Sequence, residues 1–179
     1  GHGASLRVEG AQGVILREAL VPVDTTWDAN GAPQRLLLDV EFNELLRRIT
    51  EHTDQVTVIL DCCHSAGATR DVLARPDPRD RARALTIRGT FPLSALGLDG
   101  DLSRGAARDA GGLLHGAAGS VERCVVAAAC LAGESAMEGE HEGGLRGGYF
   151  TGALVRRLAA LDPKTLGEVR WGQIWRQLE

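Results

Sequence analysis

The sequence predicts an α/β fold with a mostly parallel sheet and helices on both faces. Three observations predict it. The run Val56-Thr57-Val58-Ile59-Leu60 is apolar or β-branched throughout and has the length of a strand buried on both faces. A helical pattern over 40–52 precedes it, as in half of a βαβ unit. A second apolar run, 124–130, is followed by a further helical pattern over 150–161.

Taken in order, residues 4–19 carry scattered apolar positions punctuated by Gly10 and Gly13, which predicts a turn or hairpin. Ala19 to Asp24 is a short extended piece, and Pro22 argues against a central strand position there. Residues 25–33, with Asn30-Gly31, are loop. In the 40–52 helix, Phe42, Leu45, Leu46 and Ile49 share one face, Asp39 is the expected N-cap, and Glu44 precedes Arg48 by one turn. Residues 68–120 are rich in Pro, Gly, Ala and Arg/Asp alternation and predict a long, partly flexible connection. Glu138 to Gly148 is a glycine-rich charged loop. Phe150, Leu154, Leu158 and Leu161 give the 150–161 helix its apolar face. Thr165 and Glu168 form a capping-box pattern that opens a last helix bearing Trp171, Ile174, Trp175 and Leu178.

At 179 residues the chain reads as one domain, in three parts: 1–67, the 68–120 connection, and 121–179. The hydrophobic fraction of 44% supports a real core. Asp and Glu number 24 against 20 Lys and Arg, so a nucleic-acid partner, which calls for a basic face, is not expected. No apolar run has the length of a membrane span, and no membrane association is expected. Cys62, Cys63, Cys124 and Cys130 include no CxxC pair, which argues against a zinc ribbon or thioredoxin-type motif and fits a reducing, cytoplasmic setting.

The strand at 56–60 runs into Asp61-Cys62-Cys63-His64-Ser65-Ala66-Gly67. In open α/β sheets the carboxyl ends of strands are where ligands bind, so these residues are placed for chemistry. A cysteine nucleophile needs an imidazole, and His64, next to Cys63 on extended backbone, points away from it. The base is expected from elsewhere: His2, His52, His115 and His141 are the remaining choices. The plainer alternative is a pair of buried thiols beside a polar turn. Cys124 and Cys130 read as core.

Asp61-Cys62-Cys63-His64-Ser65-Ala66-Gly67 resembles the Asp-x-Cys-His-Ser-Gly nucleophile motif of metacaspases and related caspase-like peptidases of clan CD, with Ala66 as a departure before the glycine. Gly1-His2-Gly3 resembles the end of that family's Ser-Gly-His-Gly motif, and Leu20 to Asp24 the segment after it. The stretch from Val125 to Glu138, then Gly148-Tyr149-Phe150-Thr151, is similar to the small-subunit part. The resemblance implies a caspase-like fold, with 1–67 as large-subunit-like and 121–179 as small-subunit-like. It also implies elements upstream of the histidine, so the chain is expected to be an N-terminally truncated piece with partner domains up- or downstream.

The same resemblance implies a cysteine endopeptidase acting on peptides or proteins. Cys63 is the nucleophile and His2 its partner in a Cys-His dyad. Backbone N–H groups of Gly3 and Cys63 form the oxyanion hole, and Asp61 lies in the pocket for the residue before the cut. An acid there favours Arg or Lys substrates. No organic cofactor or metal is required, although some metacaspases use calcium, for which Asp24, Asp39, Glu41 and Asp71 offer oxygens. An enzyme of this preference would be expected to cut itself in the connection, at Arg75, Arg79, Arg81, Arg83, Arg88, Arg104 or Arg108. Two other function classes stand beside it: an inactive caspase-like interaction module, and a Cys62-Cys63 redox switch, disfavoured by the strain of a disulfide between neighbours.

Overall fold

The computed structural model describes residues 2–10, 13–62, 81–98, 124–130, 135–141, 144–164, 166–176 and 178. Strands β1 (His2–Gly10) and β2 (Gly13–Val21) form a long hairpin, with His2 opposite Val21 and Gly10 opposite Gly13. Gly13 adopts φ 124°, a backbone state that favours glycine. The expected hairpin is therefore present, and β2 stops where Pro22 removes a donor. A small hairpin of β3 (Thr26–Trp27) and β4 (Pro33–Gln34) follows, then β5 (Leu37–Leu38) on the edge of β2.

The largest sheet runs β5-β2-β1-β8, where β8 is Ala84–Pro92. It is mixed: β1 pairs antiparallel with β2 and parallel with β8. The mostly parallel sheet expected from the sequence is not what these residues form. Chain joined by a tight turn must pair antiparallel, whereas β1 and β8 are far apart in sequence and have room for a crossover. Ala4, Leu6 and Val8 of β1 are buried against Ala19, Val21, Leu38, Ile87 and Phe91, which makes this sheet the main core.

Strand β8 lies within the stretch expected to be a connection. Its alternation is broken at Gly89 (φ 111°), where the register against β1 jumps from Ser5 opposite Thr86 to Arg7 opposite Thr90. A bulge of this kind hides the period-two pattern from the sequence.

Helix α1 (Asp39–Thr50) precedes β6 (Val56–Leu60), which pairs in parallel with β9 (Cys124–Ala128). Here the expected parallel pairing holds. The expected burial of both faces does not: Val58 and Leu60 pack with Leu46, while Ile59 is 46% exposed. In α1 the buried stripe is Asp39, Asn43, Leu46 and Thr50, and Leu45 and Ile49 face outward. Asp39 is not the N-cap. Leu38 occupies that position, and its N–H is satisfied by the Glu41 carboxylate at 3.0 Å. The expected Glu44–Arg48 pair is present at 2.8 Å, joined by Arg47 at 2.7 Å.

The loop expected over 138–148 is instead a hairpin, β10 (Met137–Glu140) with β11 (Arg146–Gly148), extended on the other edge by β7 (Arg81–Ala82). Helix α2 (Tyr149–Ala159) begins directly after β11, close to its expected place. Helix α3 (Trp171–Trp175) starts later than the capping-box pattern predicted. The Arg170 carbonyl accepts from the Gln173 N–H at 2.8 Å, the Gln173 side-chain oxygen accepts from the Arg170 N–H at 2.8 Å, and Thr165 lies outside the described residues. Trp175 meets Phe150 and Trp171 edge-to-face.

Candidate active site

Two strand ends meet at one cleft of about 400 Å³. The start of β1 brings His2, and the end of β6 brings Asp61 and Cys62. Leu20 and Val21 of β2, with Pro22 just after it, add apolar lining, and Arg83 also lines the cleft. The sequence reading placed His2 and the Asp61–Cys63 turn together, and His2 and Asp61 do share this cleft. Cys63, His64 and His115 lie outside the described residues. Of the other histidines, His52 is exposed beyond the end of α1, and His141 packs edge-to-face on Tyr149 at 5.5 Å. Among the described histidines, His2 alone lines the cleft.

Asp61 is held from two directions. Its Oδ2 accepts from the Thr151 N–H at 3.1 Å and from the Thr151 hydroxyl at 2.5 Å. Thr151 is in the first turn of α2, so this carboxylate satisfies donors that the helix itself leaves open. The residue before that helix is Gly148, and a Cβ there would collide with the Asp61 carboxylate. Capping of a helix start and placement in the cleft are thus both roles of Asp61. Its Oδ1 is buried and has no hydrogen-bond partner, and it lies 3.7 Å from Arg83 Nε.

Arg83 was one arginine among several in the sequence, with no local signal to mark it. Its Nε donates to the Asp61 backbone carbonyl at 2.5 Å, and its Nη1 pairs with Glu138 at 3.2 Å. The guanidinium is only 14% exposed. Its backbone is equally engaged. The Arg83 N–H donates to the Ala136 carbonyl at 2.8 Å, and the Arg83 carbonyl accepts from the Gly3 N–H at 3.0 Å. The N–H of Gly3, the expected oxyanion donor, therefore donates its hydrogen bond to a peptide carbonyl of the chain, within the β1–β8 ladder. Glu138, a second acid beside the cleft, also went unmarked in the sequence, since its strand was read as loop.

Cys62 is buried, and its carbonyl faces the Cys130 thiol at 3.7 Å. Cys130 is buried and Cys124 half-buried, as expected of core positions.

The described acids named for calcium each have a partner within the chain. Asp39 is committed to Arg17 at 3.3 Å, Asp24 to Arg35 at 3.4 Å, and Glu41 to the Leu38 N–H. Asp71 lies outside the described residues, and among those described no cluster of three or more His, Cys, Asp or Glu side chains is present.

Comparison with known proteins decides the family. The family model described as "Caspase domain", of the C14 peptidases, matches residues 1–169. The chain belongs to the caspase-domain family. No curated protein and no solved structure matched it in the corresponding comparisons. As a caspase-domain protein it is of cysteine-peptidase type, with peptides or proteins as its substrates. No helix among the described residues is long and apolar enough to cross a membrane.

Proposed function

We propose that this caspase-domain protein is a metacaspase-type endopeptidase that cleaves after arginine or lysine with a Cys63–His2 dyad. The observation that carries the reading is the shared cleft: His2 and Asp61-Cys62, the residues leading into Cys63, line one cavity. The Cys63 thiolate attacks the scissile carbonyl carbon, and His2 delivers a proton to the leaving amine. N–H groups of Gly3 and Cys63 stabilise the oxyanion.

Asp61 sets the preference for a basic side chain. An arginine guanidinium rests against it, with Nε 3.7 Å from Oδ1, and this supports the reading although the contact is not bidentate. At about 4 Å and an effective dielectric near 20 the bare attraction is about 4 kcal/mol. Desolvation leaves about 2–3 kcal/mol, or about 30- to 150-fold over a neutral side chain. The test is turnover of matched fluorogenic peptides ending in Arg, Lys, Gln and Asp. Wild type should prefer Arg and Lys, and Asp61→Asn should flatten the preference. Equal rates across the set, or a preference for Asp, would overturn the specificity.

A further inference from the structure

His2 opens β1, Asp61 follows β6, and Glu138 lies on β10. These strands belong to three separate sheets, and among the described residues no ladder joins one of the three to another. Arg83 stands between β7 and β8 and reaches all of them. Its main chain takes two. The Arg83 N–H donates to the carbonyl of Ala136, the residue before β10, and its carbonyl accepts from the N–H of Gly3, the neighbour of His2. Any residue but proline would make those bonds. The side chain takes the third. Its Nε donates to the Asp61 main-chain carbonyl at 2.5 Å, while its Nη1 pairs with Glu138 Oε2 at 3.2 Å.

A guanidinium is suited to this task because its donors form a rigid planar fork, so one side chain serves a carbonyl and a carboxylate at once. The group is 14% exposed, and the two acids beside it, Asp61 and Glu138, offset the cost of burying its charge. The Asp61 carboxylate is oriented separately, by Thr151. Asp61 is thus held twice, its side chain from α2 and its main chain from Arg83. We infer that Arg83 is a positioning residue of the candidate active site: its guanidinium, braced by Glu138, fixes the main chain at Asp61 relative to the strand that carries His2. This inference rests on the peptidase reading above and adds a residue that acts through Asp61. The competing account is that the guanidinium supports the fold alone.

The test compares wild type with Arg83→Gln, Arg83→Lys, Glu138→Gln and the Arg83→Gln/Glu138→Gln double variant. Each is assayed on an arginine fluorogenic peptide, well below its own melting temperature. Active sites are counted with a peptidyl electrophile, so that unfolded chain does not enter kcat. Arg83→Gln should lower kcat per titrated site by about tenfold or more, towards the roughly 100-fold that a misplacement of about 1 Å costs. KM should change less than kcat. Arg83→Lys should recover little, since an ammonium keeps the charge and loses the fork. Glu138→Gln should lower kcat to a smaller degree. The double variant should match Arg83→Gln, because Glu138 acts through Arg83 and the two effects are not additive. A lowered melting temperature with unchanged kcat per site in Arg83→Gln would overturn the inference in favour of the architectural account. Full recovery in Arg83→Lys would overturn the fork, and additive losses would overturn the brace. Should Arg83→Gln fail to fold, unchanged kcat per site in Glu138→Gln would overturn the inference by itself. All of these outcomes leave the peptidase reading standing. Wild-type chain without turnover would overturn that reading and this inference together.

Discussion

The Asp61 carboxylate fills the space where a side chain on Gly148 would stand. The two residues come from opposite halves of the chain, and their contact ties the end of β6 to the start of α2. Gly148→Ala forces one of them to move. Overpacking of this kind costs about 1–3 kcal/mol. The Thr151 bonds that orient Asp61 would be lost with it. Melting temperature should fall, and kcat/KM on an arginine peptide should drop by about tenfold or more, with the Arg-to-Gln ratio falling as well. Thr151→Val, which keeps the backbone N–H, should show a smaller drop in the same ratio. A lowered melting temperature with an unchanged ratio would mean that Asp61 has no part in specificity.

The two adjacent thiols are expected to separate cleanly. Cys62 is 4% exposed, and its backbone carbonyl faces the Cys130 thiol at 3.7 Å. Cys62→Ala should retain most peptidase activity and lose about 1 kcal/mol of stability, the usual size of a single-site change. Cys63→Ala should abolish turnover. A peptidyl electrophile followed by peptide mapping should place its label on Cys63. Retained turnover in Cys63→Ala would show that the nucleophile is elsewhere.

What the sequence offered of the candidate site came from local signals. Asp61 to Gly67 is a contiguous motif, and His2 and Gly3 open β1. The hairpin announced itself by Gly10 and Gly13, and β6, β9 and α2 by composition and period. The rest depends on partners remote in sequence. Arg83 and Glu138 gain their meaning only where β7 joins β10. Strand β8 is disguised by the bulge at Gly89. The inward face of α1 was misassigned by about one position because a buried acid, Asp39, lies on it, and period counting places only apolar residues inside.

Glu44 offers a pH signature on the surface of α1. Arg47 and Arg48 both donate to it, and these hydrogen bonds lower its pKa from 4.5 to about 2. An acid with a depressed folded pKa stabilises the fold above its unfolded value and loses that stabilisation as pH falls through its folded value. Glu44→Gln should therefore melt below wild type at pH 7, with the gap closing between pH 4.5 and pH 2. Added salt should narrow the gap too, since the arginines are exposed. A gap that stays constant over that pH range would show that the ion pairs contribute nothing.

Arg17 and Asp39 form the most buried ion pair described, at 3.3 Å with 1% of each side chain exposed. The pair pins β2 to the start of α1, and Asp39 also accepts from the Val40 N–H at 2.8 Å. Burial raises the Asp39 pKa, and the Arg17 charge pulls it part of the way back. Arg17→Met removes that opposing charge and leaves a carboxylate in a dry site. The expected cost is about 3–5 kcal/mol, because an unpaired buried charge keeps its desolvation penalty. Asp39→Asn in the same chain removes the charge that lacks a partner, so the double variant should be more stable than Arg17→Met alone. The pH dependence has a definite sign. An acid whose folded pKa lies above its unfolded value favours the fold at low pH and disfavours it as pH rises through the folded value. The deficit of Arg17→Met against wild type should therefore be smaller at pH 5 than at pH 8 in urea melts. Equal deficits at the two pH values, or a double variant that costs the sum of the two single changes, would show that Arg17 stabilises by packing and not by charge.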